Sequence, residues 1–250
     1  MKIQWLGHAC FKITENGYSI VIDPYNSDYT EGYPKLDITA DKLLISHENY
    51  GHNYRDGVKL SGRDENESPF TIKSFEVDHD SVNGIMRGKC LVHIIEANGV
   101  RVAHMSDIGT QLNGGQISQL MDLDAIMVTA GSLTGLPSEA VQRMYEELFP
   151  KVLIPMHYRD GVRGPRRLET INDLINKFET PDFAKFYNTD TIEITADIEP
   201  QIAVLKYMGG EGKSNFPKNY TGGNESAKKA EKDRTEKPGL LRGIIAKIKK

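Results

Sequence analysis

Five residues in this 250-residue chain are of metal-binding types and stand where strand-like runs stop. LLISHENYGHN sets His47 and His52 just past an apolar run, His79 follows FTIKSFEVD, Asp107 follows VRVAHMS, and His157 follows KVLIPM. A lone loop histidine is ordinarily solvated, and His-x4-His on its own is a weak spacing. Four separate strand ends that each deliver an imidazole or a carboxylate point instead to one metal centre at the edge of a sheet. The chemistry of such a centre is hydrolysis, because a divalent ion lowers the pKa of a bound water from about 16 towards neutrality.

The elements that must position these residues are short strands. MKIQWLG, FKITEN, YSIVIDPY, KLLISH, FTIKSFEVDH, CLVHIIEANG and VRVAHMSD combine β-branched or aromatic residues with turn chemistry at their ends, so the first 130 residues read as β-rich. Helical patterns follow at Gly115 to Met121, at Pro137 to Phe149 and at Arg167 to Phe178, the last with Leu168, Ile171, Leu174, Ile175 and Phe178 on one face. DAIMVTA, KVLIPMHY, DTIEIT and QIAVLKY return to strand character. Strands followed by mixed strands and helices predict a layered α/β architecture.

Composition separates a body from a tail. With 38% apolar residues the chain can bury one substantial core, which fits one enzyme-sized domain. Residues 209 to 250 carry 11 Lys or Arg against 5 Asp or Glu, whereas residues 1 to 208 carry 20 against 30. An acidic body argues against a nucleic-acid partner. The tail begins as a Gly- and Lys-rich run nearly free of aliphatics and predicts a disordered linker. It ends in GLLRGIIAKIKK, where Leu240, Leu241, Ile244, Ile245 and Ile248 share one helical face, a basic amphipathic segment suited to an anionic membrane surface or a protein partner. Two cysteines, no basic leader and no long apolar run predict a soluble cytoplasmic protein with reduced thiols.

From Met1 to Met208 the chain resembles the metallo-β-lactamase-fold hydrolases, in particular the branch that includes L-ascorbate-6-phosphate lactonase-like proteins. The likeness rests on WLGHACF, IDPY at Asp23, SHENYGHN at His47, DHDSVNGIMRG at His79, HMSDIG at Asp107 and IPMHY at His157, in that order. It implies a four-layer αββα sandwich with a metal centre where these loops converge. It also implies one metal position at His47 and His79, a second at His52 and His157, and Asp107 as the bridging carboxylate and candidate catalytic residue. Asp23 is expected as an acceptor that fixes a histidine tautomer.

The departure lies in the metal loop. Where the family reads His-x-His-x-Asp-His, this chain has His47, Asn49, Gly51 and His52, so one imidazole and one carboxylate are missing. Two divalent ions a few ångströms apart repel, and with Asp107 as the one remaining carboxylate the sequence predicts one ion, zinc first, with iron or manganese also compatible with the donors. Glu48 and Asp80 stand next to ligand positions as possible replacements, and Tyr50 and His104 as possible proton carriers. Arg87 in GIMRGK, and Arg159, Arg163, Arg166 and Arg167 in YRDGVRGPRR, supply guanidinium groups near His79 and His157. Arg87 and Arg159 are the expected contacts to a small anionic substrate, such as a sugar-phosphate lactone or a phosphoester. A chain that has lost catalysis and serves as a binding or scaffold protein is the alternative.

Overall fold

The computed structural model describes residues 1–133, 135–161, 163–179 and 183–209; the expected linker and terminal amphipathic helix lie outside them. Among the described residues fourteen strands run in chain order: β1 (Lys2–Gly7), β2 (Cys10–Glu15), β3 (Tyr18–Ile22), β4 (Ile38–Ala40), β5 (Lys42–Leu44), β6 (Val58–Leu60), β7 (Thr71–Asp78), β8 (Lys89–Ala97), β9 (Val100–His104), β10 (Ala125–Thr129), β11 (Val152–Met156), β12 (Ala184–Phe186), β13 (Thr191–Glu193) and β14 (Gln201–Val204). They form a five-stranded sheet in the order β13-β1-β2-β3-β5, a seven-stranded sheet in the order β12-β14-β11-β10-β9-β8-β7, and a small β4-β6 pair.

Strand direction explains why the site residues meet. In the larger sheet β9, β10 and β11 are mutually parallel, and two antiparallel steps through β8 return β7 to the same direction. The residues that follow β7, β9 and β11 therefore emerge at one edge. In the smaller sheet two antiparallel steps relate β1 to β3, and β5 is parallel to β3, so the residues after these three strands also share an edge. Loops at the carboxyl ends of co-directional strands are the usual place for a ligand in α/β folds.

The sheets pack face to face through apolar side chains. Trp5 stacks on Tyr158 at 5.4 Å between ring centroids, and Phe11 meets His104 edge-on at 5.9 Å. β10 and β11, AIMVT and VLIPM, are buried along their whole length, as expected of parallel strands covered on both sides.

The α-helices among the described residues are α1 (Gly114–Gln119), α2 (Ser138–Leu148) and α3 (Ile171–Ile175). α2 starts after Pro137 and stops at Phe149, whose left-handed φ of 51° ends the helical path. The third helix is shorter than the Arg167 to Phe178 pattern predicts. Thr170 and Asp173 form a capping box that starts the helix at Ile171. Leu168 before it is held in a turn by Pro165 and bridges to Ser132. Arg167 is thereby freed from the helix and reaches the cleft described next.

A candidate metal centre

Six polar residues follow three co-directional strands of each sheet: His8 after β1, Asp23 after β3 and His47 after β5 in one, His79 after β7, Asp107 after β9 and His157 after β11 in the other. His52 joins them through a tight turn in which its amide and that of Asn53 donate to the Asn49 carbonyl. The turn points the second imidazole of the loop back inwards, where it is buried.

Asp107 sits between the histidines. Its Oδ2 lies 3.1 Å from His52 Nε2 and 3.3 Å from His79 Nε2, and its Oδ1 lies 3.0 Å from His157 Nδ1. Burial raises the pKa of this carboxyl, but His157 and His52 outweigh burial and hold it well below the usual carboxylate range. The donor atoms of His47, His79 and Asp107 fall within 4.8 Å of one another, as do those of His8, His52 and His157.

Asp23 organises two of the imidazoles from below. It is wholly buried and accepts from the Ser46 amide at 2.7 Å, from the Ser46 hydroxyl at 2.5 Å and from His52 Nδ1 at 3.0 Å. The Ser46 hydroxyl has one proton, which goes to Asp23, so it accepts from His47 Nδ1 at 2.9 Å. Both His47 and His52 are thus fixed with Nδ1 protonated and Nε2 turned to the site, the arrangement a metal-binding imidazole needs. Burial raises the Asp23 pKa, but the His52 hydrogen bond and charge bring it down to about 2.

The donor set fits a divalent ion. His47 Nε2 is buried with no hydrogen-bond partner. Burial and the neighbouring His52 push the His47 pKa down to about 3, so this imidazole is neutral, the form that ligates. For His52, burial lowers the pKa, but Asp107 and Asp23 on its two nitrogens raise it to about 10. A cation held at Nε2 would take the place of the proton that His52 otherwise carries toward Asp107.

A cleft of about 550 Å³ opens over these groups, within the range of small-molecule sites. Arg87 and Arg167 line it, as do Tyr29 and Tyr50, which stack at 4.2 Å and are both exposed. Arg159, an expected substrate contact, is not among the lining residues. Its backbone pairs with Glu169 and Thr170, and its charge acts on Asp173.

The other sequence candidates have structural duties. Glu48 is exposed and bound to Arg55 at 2.6 Å and to Asn53 at 2.8 Å. Asn49 turns its side-chain carbonyl to the Gly51 amide at 2.9 Å. Asp80 accepts from the amides of Val82, Gly84, Met86 and Arg87, and so holds together the loop that carries Arg87. His104 lies wholly buried between the sheets with its Nε2 on the Ala9 carbonyl, away from the cleft. His8 and Ser46 take part in the site without having been singled out from the sequence. The signal for His8 was available, since it too follows a strand-like run, MKIQWLG.

The family model described as "Beta-lactamase superfamily domain" matches residues 2–157, the stretch from β1 to the last of the clustered histidines. The chain belongs to the β-lactamase superfamily. A UPF0173 metal-dependent hydrolase from Archaeoglobus fulgidus is 25% identical over 196 residues, covering 63% of this chain and 83% of the relative. A second relative of that name, from Carboxydothermus hydrogenoformans, is 25% identical over 192 residues, covering 63% and 84%. Among solved structures, a candidate zinc-dependent hydrolase of the metallo-β-lactamase superfamily from Thermotoga maritima superposes with a TM-score of 0.62 at 25% identity, covering 82% of this chain and 97% of that one. A metallo hydrolase from Ignicoccus hospitalis, at 18% identity and a TM-score of 0.56 over 78% and 99% of the two chains, shares the fold. Taken with the donor cluster, these likenesses make the protein a metal-dependent hydrolase of the metallo-β-lactamase superfamily.

Proposed function

We propose that the protein hydrolyses an ester, lactone or phosphoester bond in a small anionic substrate, with zinc as its metal and iron or manganese as workable substitutes. The observation that carries this reading is the placement of Arg87 and Arg167 in the same cleft as the histidine and Asp107 cluster. Guanidinium groups pair with phosphate or carboxylate oxygens in a planar, two-point fashion and thereby orient the bond to be cut. A bound divalent ion supplies a water of lowered pKa and polarises the oxygen of the scissile bond. His47, His52, His79, His157 and Asp107 are the residues that would hold it. Asp107, held ionised at neutral pH by His157 and His52, can accept a hydrogen bond from the reacting water and has no proton of its own to donate.

A second reading, a non-catalytic binding protein, draws on Asn49 and Gly51 in place of the family's usual ligands. The two separate in one assay. Metal-loaded protein is offered p-nitrophenyl esters, sugar lactones and phosphodiesters, with Asp107→Asn as control. The hydrolase reading expects turnover that drops at least 100-fold in the control. No turnover of any class by a protein shown to carry metal favours the binding reading. Cytoplasmic residence belongs to the same proposal, supported by two buried, unpaired cysteines, Cys10 and Cys90. Among the described residues no helix is long and apolar enough to cross a membrane.

A further inference from the structure

The expectation of a single ion rests on the imidazole and the carboxylate missing from the metal loop, and the structure brings a further imidazole to that place. His8 follows β1, on the sheet opposite Asp107 and His157, and is buried. Its backbone is fixed from both sheets: its carbonyl accepts from the Trp5 indole at 3.0 Å and from the His157 amide at 3.0 Å. Its ring packs edge-on against His157 at 4.1 Å between centroids and lies 5.3 Å from His52. It lines the same cleft as the other histidines.

Position 51 explains why the imidazole can reach there. A Cβ added to Gly51 would stand 3.0 Å from His8 Nε2, tighter than ordinary van der Waals contact. The ring therefore lies along the direction in which a side chain at residue 51 would project, and a carboxylate at 51 could not take that direction without displacing it. The donor atoms of His8, His52 and His157 lie within 4.8 Å of one another. Tetrahedral ligands at metal–nitrogen distances near 2.1 Å sit about 3.4 Å apart, so modest ring movements bring all three onto one ion.

Resting on the metal-dependent reading above, we propose that His8 is a metal ligand that takes the place left open at Gly51, so that His8, His52 and His157 form a second half-site beside His47, His79 and Asp107. The two half-sites share Asp107, whose two oxygens face histidines of both groups. The protein then holds two ions with three imidazoles on one, two imidazoles on the other, and one carboxylate between them.

Metal content tests this without reference to activity. The full chain is stripped with chelator and titrated with zinc against a chromophoric competitor, alongside His8→Ala, His8→Gln and the double variant His8→Ala with Gly51→Asp, each checked for folding by circular dichroism. The wild type is expected to take two equivalents and each single variant one. The double variant is expected to regain the second equivalent, because the carboxylate at 51 enters the space that the imidazole leaves. The same stoichiometry in the wild type and in both folded single variants overturns the assignment of His8. A wild type that takes no zinc, iron or manganese instead removes the metal-dependent reading on which the assignment rests. If His8→Ala does not fold, His8→Gln and the double variant still decide, since the first should lose one equivalent and the second should recover it.

Discussion

Replacing Asp23 by Asn keeps the shape of the buried carboxylate and removes its charge, and the consequences can be worked through. The carboxylate accepts from three donors, the Ser46 amide, the Ser46 hydroxyl and His52 Nδ1. An amide has one accepting oxygen, so its NH2 must face a donor on one side. In the metal-free protein the Asp23 pKa is lowered from 3.8 to about 2, worth about 2 kcal/mol of stability at neutral pH. Because the folded value is the lower one, that contribution is complete above the unfolded pKa and fades as pH falls, with about half gone by pH 3. Leaving His52 without its buried partner brings the total cost to about 3–5 kcal/mol, a fall in melting temperature of roughly 6–20 °C for a chain of this size. The variant also lets His52 place its proton on Nε2, the atom turned to the metal, so zinc affinity should drop about 10- to 100-fold. Urea unfolding of metal-free wild type and Asp23→Asn at pH 7, 5 and 3 should show a gap that narrows towards pH 3, and competition titration reads the affinity. A variant that unfolds at the wild-type urea concentration and binds zinc as tightly would refute the Asp23 account.

Three further outcomes follow from the geometry. His52 is raised to about 10 in the metal-free protein, so its share of stability is present below about pH 6.5 and is lost as pH rises through 10. Zinc binding at pH 7 should displace about one proton from it, read by calorimetry in buffers of different ionisation enthalpy; no buffer dependence would contradict the assignment. Asp80→Ala removes the acceptor of four loop amides and should expose the chain at Arg87 to trypsin, with the fragments seen by mass spectrometry, while zinc stoichiometry stays unchanged; a loop as resistant as wild type counts against its bracing role. Glu48→Ala should leave zinc stoichiometry and affinity as they are, since the carboxylate is engaged by Arg55 outside the cluster; a lost equivalent would make Glu48 a ligand after all.

Much of this site was legible in the sequence because strand patterns end where function begins. The runs before His79, Asp107 and His157 have the β-branched and aromatic content of strands, and parallel pairing of β9, β10 and β11, with two antiparallel steps to β7, carries their ends to one edge. His52 needed only the loop after β5. What could not be read depended on contacts between distant segments. The role of Ser46 appears once its single hydroxyl proton is seen to go to Asp23, and the place of His8 once β1 is seen to run with β3 and β5. Arg159 and Arg167 were indistinguishable as charges near His157. Their fates diverge because Arg159 pairs its backbone with Glu169 while the capping box at Thr170 leaves Arg167 outside the helix. Asp80 next to His79 looked like a spare ligand, and only the loop's closure reveals the four amides that occupy it.

The strand ends at the site share a further property. His8, Asp23, Ser106 and His157 all have left-handed backbones, with φ of 53°, 48°, 54° and 48°. Each such residue costs about 1–2 kcal/mol relative to glycine, which adopts this conformation freely. Relieving that tension is an available route to a sturdier fold, and it leads through the residues that define the centre. At Asp23 the hydrogen bonds to Ser46 and His52 outweigh that tension, so selection of this protein for heat resistance alone would draw glycine to His8 and His157. A library screened in that way should yield robust proteins that no longer hold metal, so durability and function need to be scored together.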